Sequence, residues 1–112
     1  MLSMIDKDVT GAQFSAFPPE ISARLLVAAE ADITNWSNKL LDAWEAQDSE
    51  VISRSRHALK GLCGNFGATK LLAMAEEDLS LPEDRAAFRS LRGATLHAIR
   101  MVALDISVPS AQ

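Results

Sequence analysis

Hydrophobic residues recur every three or four positions along the middle of the chain, which is the spacing of an amphipathic helix with one buried face. The first long stretch of this kind begins at the Pro18-Pro19 pair, because proline is favoured in the first turn of a helix. Charged and polar side chains lie mostly off the stripe. The pattern predicts a helix over residues 19–46, with its buried positions at Leu26, Ala29, Ile33, Trp36, Leu40 and Ala43.

A second helix follows a short polar break, in which Asp48 or Ser49 serves as the cap by accepting a hydrogen bond from an unpaired backbone N–H. This helix runs through His57 to about Gly64. There the GNFG stretch supplies two glycines and an asparagine for a tight reversal, and Gly67 is expected to lie in that turn.

Two further helices complete the periodic part of the chain. A short one is predicted near residues 67–79. A long one near 82–105 starts at the SLPED stretch, whose proline and acidic residues suit a first helical turn, and Pro109 comes after its end. No strand pattern or internal repeat is present in the sequence.

Residues 1–17 carry no sustained periodicity and are predicted to form an N-terminal arm or a short extra helix. Short connections place successive helices side by side in opposite directions. The predicted fold class is therefore all-α: an up-down-up-down antiparallel four-helix bundle over residues 18–106, followed by a C-terminal tail at 107–112. The predicted core consists of apolar residues from the four stripes: Leu26, Ile33, Trp36, Leu40, Ile52, Leu59, Leu62, Phe66, Leu72, Phe88, Leu91 and Val102.

The composition narrows the functional classes. The chain has 112 residues, the length of one ordinary domain, and a formal net charge of −4 with no run of lysine or arginine, so nucleic acid is not the expected partner. No apolar run approaches the roughly 20 residues of a membrane span, and the first residues lack the pattern of a signal peptide, so we expect a cytoplasmic protein.

The single cysteine, Cys63, supports neither a disulfide nor a cysteine-cluster metal site, and we expect it in the core.

The second helix divides into two faces around His57. An α-helix turns about 100° per residue, which places the large apolar residues of this helix on the side opposite His57. The imidazole is therefore predicted to project into solvent. The residues within about 60° of His57 are small, polar or charged: Glu50, Ser53, Arg54, Lys60, Gly61 and Gly64.

Glycine inside a helix costs about 1 kcal/mol relative to alanine, so its presence beside His57 calls for an explanation. Gly64 and Gly67 are near the end of the helix and serve to terminate it. Gly61 lies three residues before that end and has no such role. The bare backbone at Gly61 and Gly64 is predicted to let a partner molecule approach the imidazole.

Positive charge gathers around this histidine in an otherwise acidic chain. Lys60 stands at i+3 from His57, Arg54 flanks the other side, and Arg56 is the third cation around the histidine. This local charge favours an anion or a partner with an acidic pocket.

Several simpler interpretations compete. An exposed histidine on a helix often has no role. A general base needs an orienting partner and a cleft, which the convex surface of a helix does not supply. A metal site is not expected, because Cys63 is about 240° around the helix from His57 and His97 belongs to another helix, where it is expected at the surface or boundary.

The stretch RHALKGLCGNFGA resembles the motif of the histidine phosphotransfer (HPt) family of phosphorelays. That motif has a histidine, a lysine at +3, a glycine at +4, a small residue at +7 and a glycine at +10. The matching positions here are His57, Lys60, Gly61, Gly64 and Gly67. The motif covers about a dozen residues, and four helices of similar order extend the likeness over roughly residues 18–106.

The resemblance implies that His57 carries a phosphoryl group between a histidine kinase or a receiver aspartate and another response-regulator receiver. Lys60 is then expected to steady the phosphoryl oxygens. Receiver docking is expected at Ser53, Arg54, Arg56, Gly61 and Gly64. The divalent metal belongs to the receiver, so the chain needs no cofactor of its own. It is expected to be a monomeric carrier and not a self-sufficient enzyme.

Two other classes stay open at this point. One is a helical module that docks a receiver or another signalling protein without phosphoryl transfer. The other is a hydrolytic enzyme, for which the sequence offers no second catalytic group beside His57.

Overall fold

The computed structural model describes residues 2–107, which form an all-helical unit without strands. Residues 108–112, including Pro109 and most of the predicted tail, lie outside the described residues. The helices are α1 (Lys7–Ser15), α2 (Pro19–Ala46), α3 (Ser49–Phe66), α4 (Thr69–Ala75) and α5 (Pro82–Ser107).

Helices α2 to α5 form a bundle in which each helix packs against the next and α5 packs against α2. The diagonal pairs, α2 with α4 and α3 with α5, are not among the closely packed helix pairs of the described residues. Two side-chain contacts give the relative direction of α2 and α5: Arg92 donates to Asn38 at 2.6 Å, and Arg100 donates to Glu30 at 2.9 Å. Because the residue number rises along α5 as it falls along α2, these two helices run in opposite directions.

The predicted core is found in the interior or at its edge. Leu26, Ile33, Leu40, Ile52, Leu59, Phe66 and Phe88 are buried. The rest are partly buried and pack against that cluster: Trp36, Leu62, Leu72, Leu91 and Val102. Cys63 is buried as expected, and this burial raises the pKa of its thiol to about 12, so the thiol is protonated at neutral pH.

The N-terminal stretch contains the short extra helix that the predicted fold class allowed. The side chain of Asp6 caps α1 by accepting from the backbone N–H of Asp8 at 3.1 Å. Phe14 is buried and its ring centroid lies 5.7 Å from that of Phe66. The sequence did not reveal this packing, since a helix of nine residues presents too few turns for a periodic stripe.

Two predicted helix boundaries need correction. α3 continues past Gly64 to Phe66, because the left-handed residue that ends it is Gly67. α4 is shorter than the predicted 67–79 and stops at Ala75. The backbone N–H groups of Glu76 and Glu77 bond to carbonyls only three residues back, and a non-helical connection then leads to α5.

Candidate functional site

α3 is fixed at both ends by its own sequence. At its start the side chain of Asp48 accepts a hydrogen bond from the N–H of Val51 at 3.2 Å. At its end Gly67 adopts a left-handed conformation with φ 71°, and its N–H bonds to the carbonyl of Cys63. These two caps set the length and rotation of the helix that carries His57.

Gly67 also makes room for the N-terminal segment. A Cβ at this position would lie 2.7 Å from the carbonyl oxygen of Asp6 and 2.8 Å from Oγ1 of Thr10. The N–H of Asp6 donates to the Gly67 carbonyl at 2.8 Å, and the Thr10 hydroxyl donates to the Phe66 carbonyl at 2.6 Å. The last turn of α3 is therefore closed against α1.

The side of α3 that carries His57 is open to solvent. His57 is exposed, and so are its neighbours on that face: Glu50, Ser53, Arg54, Lys60, Gly61 and Gly64. A Cβ added at Gly61 or Gly64 would meet no atom within 4 Å. Internal packing therefore does not require glycine at either position. We call the surface of His57, Gly61 and Gly64 the glycine strip.

The charges around His57 are fewer than the sequence predicts. Arg56 does not join them, because its guanidinium donates to three carbonyls at the end of α4: those of Ala75 at 2.9 Å, Glu76 at 3.2 Å and Glu77 at 2.8 Å. It also lies over the Trp44 ring, 5.4 Å from its centroid. The physical reason is position, since Arg56 is about 100° around α3 from His57 and faces α4.

Two other cations remain on the exposed face. Arg54 forms an exposed ion pair with Glu50, one turn earlier, at 3.6 Å. Exposed pairs of this kind are worth about 0.2–1 kcal/mol and leave the guanidinium free to change partner. Lys60 is exposed, and neither of the ion pairs found among residues 2–107 includes it. Lys60 is thus the cation on this face whose charge is not balanced by an ion pair.

α2, which packs against α3, carries a side-chain pair that the sequence assigned only to packing. Trp36 is partly buried, and Nζ of Lys39 lies 4.2 Å from the centroid of its ring. The two tryptophans of α2 have the spacing of a buried stripe. The periodic pattern therefore predicts packing and does not show that a lysine lies over the Trp36 ring. The signal that could have indicated it is the lysine at i+3 from Trp36.

His57 lies outside a cavity that its neighbours on α3 help to line. The cavity has a volume of about 770 Å³ and lies between Trp44, Ser53, Arg56 and Arg85, and His57 is not among its lining residues.

His97 is exposed on α5. Within residues 2–107 no three histidine, cysteine, aspartate or glutamate side chains come together as a metal site, and no helix is long and apolar enough to cross a membrane.

No family model, curated protein or solved structure matches this chain.

Proposed function

We propose that this chain is a histidine-containing phosphotransfer protein. His57 accepts a phosphoryl group from a histidine kinase or a receiver aspartate and passes it to another response-regulator receiver. The observation that carries the proposal is the open face of α3. An exposed histidine stands beside two glycines whose missing side chains leave empty space, and Lys60 lies one turn away on the same face.

The transfer step uses Nε2 of His57 as the nucleophile. A neutral imidazole is a competent nucleophile near neutral pH. Its lone pair forms a P–N bond while the P–O bond to the receiver aspartate breaks, and the electron pair of that bond returns to the carboxylate. The reverse exchange hands the phosphoryl group to the next receiver. Lys60 stabilises the phosphoryl oxygens during both exchanges.

The proposed role also fits the position of His57 on an exposed helix face, outside the neighbouring cavity. A receiver brings its own acidic site and divalent metal, so the chain has to present the imidazole on a firm, accessible surface. A convex helix face meets that need, and it does not supply the water-excluding site of a self-sufficient enzyme. We therefore propose a carrier that works as a cytoplasmic monomer with receiver domains or a kinase as partners.

The bundle holds the histidine in position. We propose that α2 to α5 form the up-down-up-down antiparallel arrangement predicted from the short connections, with α1 closing one end. His57 lies in the middle of an 18-residue helix, with Leu59 and Cys63 buried on the other side. A rigid helix with a packed back face keeps the imidazole from moving as the partner docks.

Phosphoryl transfer from a panel of radiolabelled phospho-receiver domains and kinases to the purified protein tests the proposal. We expect acid-labile, base-stable label on the wild type and none on His57→Gln. The matched control is His97→Gln, which removes the other histidine of the chain, also exposed, and should be labelled like the wild type.

Two results would contradict the proposal. One is equal labelling of His57→Gln and the wild type. The other is no labelling of the wild type by any donor while its circular dichroism reports an intact helical fold. If receivers still bind in the second case, the chain is a docking module without phosphoryl transfer.

A further inference from the structure

Trp36 and Lys39 form a cation–π pair on the surface of α2. Nζ of Lys39 lies 4.2 Å from the ring centroid, well inside the range of this interaction. The indole packs against the core, whereas Lys39 is exposed. A partly buried ring therefore holds an ammonium group in a defined place at the surface.

No carboxylate neutralises this ammonium group in the described part of the chain. Asp42 stands at i+3 from Lys39 on the same helix, yet the ion pairs found among residues 2–107 are Arg54 with Glu50 and Arg100 with Glu30. The positive charge of Lys39 is thus available to an outside partner.

The pair lies on the side of α2 that borders α3. α2 is joined to α5 through Glu30 and Asn38, which marks the other side of the helix. Trp36 and Lys39 are between about 100° and 180° around α2 from both of those residues. In the bundle the remaining long neighbour of α2 is α3.

The pair also lies at the level of His57. α2 ends at Ala46 and α3 starts at Ser49, and α3 packs back along α2. Lys39 precedes the end of α2 by about 10 Å of helix rise, and His57 follows the start of α3 by about 12 Å.

The rotation of α3 places the glycine strip on the side of that helix away from α4. Arg56 marks the side of α3 that faces α4. Arg54 and Gly61 are about 140° to 160° around the helix from Arg56, so they lie on the side of α3 that points away from the end of α4. The glycine strip and the Trp36–Lys39 pair therefore lie at the same level of two neighbouring helices.

Resting on the phosphotransfer function proposed above, we propose that the Trp36–Lys39 pair selects the partner. Its occupant is the rim of a receiver domain that presents a carboxylate to Lys39 and an apolar side chain to the Trp36 ring. Charge complementarity carries the choice, because Lys39 and Lys60 are exposed lysines that neither ion pair of residues 2–107 includes, and the receiver's acceptor site is itself acidic. Receivers with a neutral or basic residue at that place dock less tightly.

The test measures initial rates of phosphoryl transfer against receiver concentration for a panel of phospho-receivers. With Lys39→Gln, we expect the half-saturating concentration of the preferred receiver to rise about threefold to tenfold, with the maximum rate unchanged. The preference between the best and the second receiver should shrink. Trp36→Phe keeps a smaller ring and should have an intermediate effect. The matched control, Lys70→Gln, removes an equal charge from an exposed position on α4 and should behave as the wild type.

The outcomes separate this inference from the proposed function. If the wild type is labelled but Lys39→Gln and Lys70→Gln give the same rates across the panel, the partner-selection role is wrong and the phosphotransfer function stands. If Lys39→Gln lowers the maximum rate and leaves the half-saturating concentration unchanged, Lys39 acts in the transfer step and the inference is again wrong. A wild type that no donor labels overturns the proposed function, and this inference with it.

Discussion

Gly61 lies inside α3 and Gly67 ends the same helix, but their surroundings differ in kind. A Cβ at Gly61 would meet nothing within 4 Å, whereas one at Gly67 would lie 2.7 Å from a backbone oxygen. Gly67 also has a positive φ, and Gly61 does not. The fold therefore requires glycine at Gly67. At Gly61 the fold would accept alanine, and the packing of residues 2–107 gives no reason for glycine there.

The largest effect should come from Gly67→Ala. An L-residue in the left-handed conformation costs about 1–2 kcal/mol, and the added methyl group also collides with Asp6 and Thr10. We expect the free energy of unfolding to fall by about 3 kcal/mol, as measured by urea denaturation. Gly67→Asn relieves only the conformational part of this loss, because its Cβ meets the same two oxygen atoms.

Transfer to Gly67→Ala, assayed where it is still folded, should remain close to wild type if the role of this glycine is structural. A variant as stable as the wild type would show that the contact between α1 and α3 adjusts to the added methyl group with no loss in the free energy of unfolding. The comparison between the two glycines would then lose its basis.

The next effect concerns Arg56, which the sequence placed in the docking surface. Arg56→Met keeps much of the apolar stem and removes the donors to Ala75, Glu76 and Glu77. We expect the free energy of unfolding to fall by about 1–2 kcal/mol. Transfer per folded molecule should be unchanged. Arg54→Met is the matched loss of charge on the exposed face, and it should lower the transfer rate while leaving the free energy of unfolding unchanged. Reduced transfer by a fully stable Arg56→Met would restore the docking role.

The buried face of α3 should respond to pH through Cys63. Burial raises the pKa of this thiol from 9.0 to about 12, so the folded state binds its proton more tightly than the unfolded state. The stabilisation is complete below pH 9 and is lost as the pH rises toward 12. Between pH 8 and pH 10 we expect the wild type to lose about 1 kcal/mol more than Cys63→Ala, measured by urea denaturation under reducing conditions. Parallel losses in the two proteins would mean that the thiol is hydrated in the fold.

The sequence predicted the two faces of α3 and the bounds of α2 because both depend on local periodicity. In a long helix, apolar residues recur every three or four positions along the buried face. The buried positions can therefore be inferred without knowing which helix packs against them. The exposed position of His57 and the terminating role of Gly67 follow from the same local information.

The contacts that the sequence did not predict join residues far apart in the chain. Arg56 bonds to carbonyls some 20 positions later, and Thr10 bonds to the carbonyl of Phe66. An arginine looks the same in the sequence whether its guanidinium contacts the end of a helix or solvent. The short helix α1 similarly offers one buried pair, Thr10 and Phe14, and no repeating stripe. These positions are set by tertiary packing, which a pattern along one helix does not record.

The smallest change in stability, and the sharpest test of the comparison, is Gly61→Ala. Alanine has room at this position and lowers the entropy cost of the helix, so the free energy of unfolding should rise by about 0.5–1 kcal/mol. Gly93→Ala is the matched control, since Gly93 is exposed in the interior of α5 and also has nothing within 4 Å of a Cβ. Both variants should gain stability.

Under the proposed function only Gly61→Ala should lose transfer, because its methyl group would stand on the glycine strip that a receiver has to approach. A loss of about tenfold in the second-order rate constant corresponds to about 1.4 kcal/mol of docking or transition-state energy. The larger Gly61→Gln should lose more. If Gly61→Ala and Gly93→Ala transfer equally well, close approach of a partner is not the reason for this glycine. A gain of stability joined to a loss of transfer in Gly61→Ala alone would mean that the helix gives up stability at this position to leave its surface open to a partner.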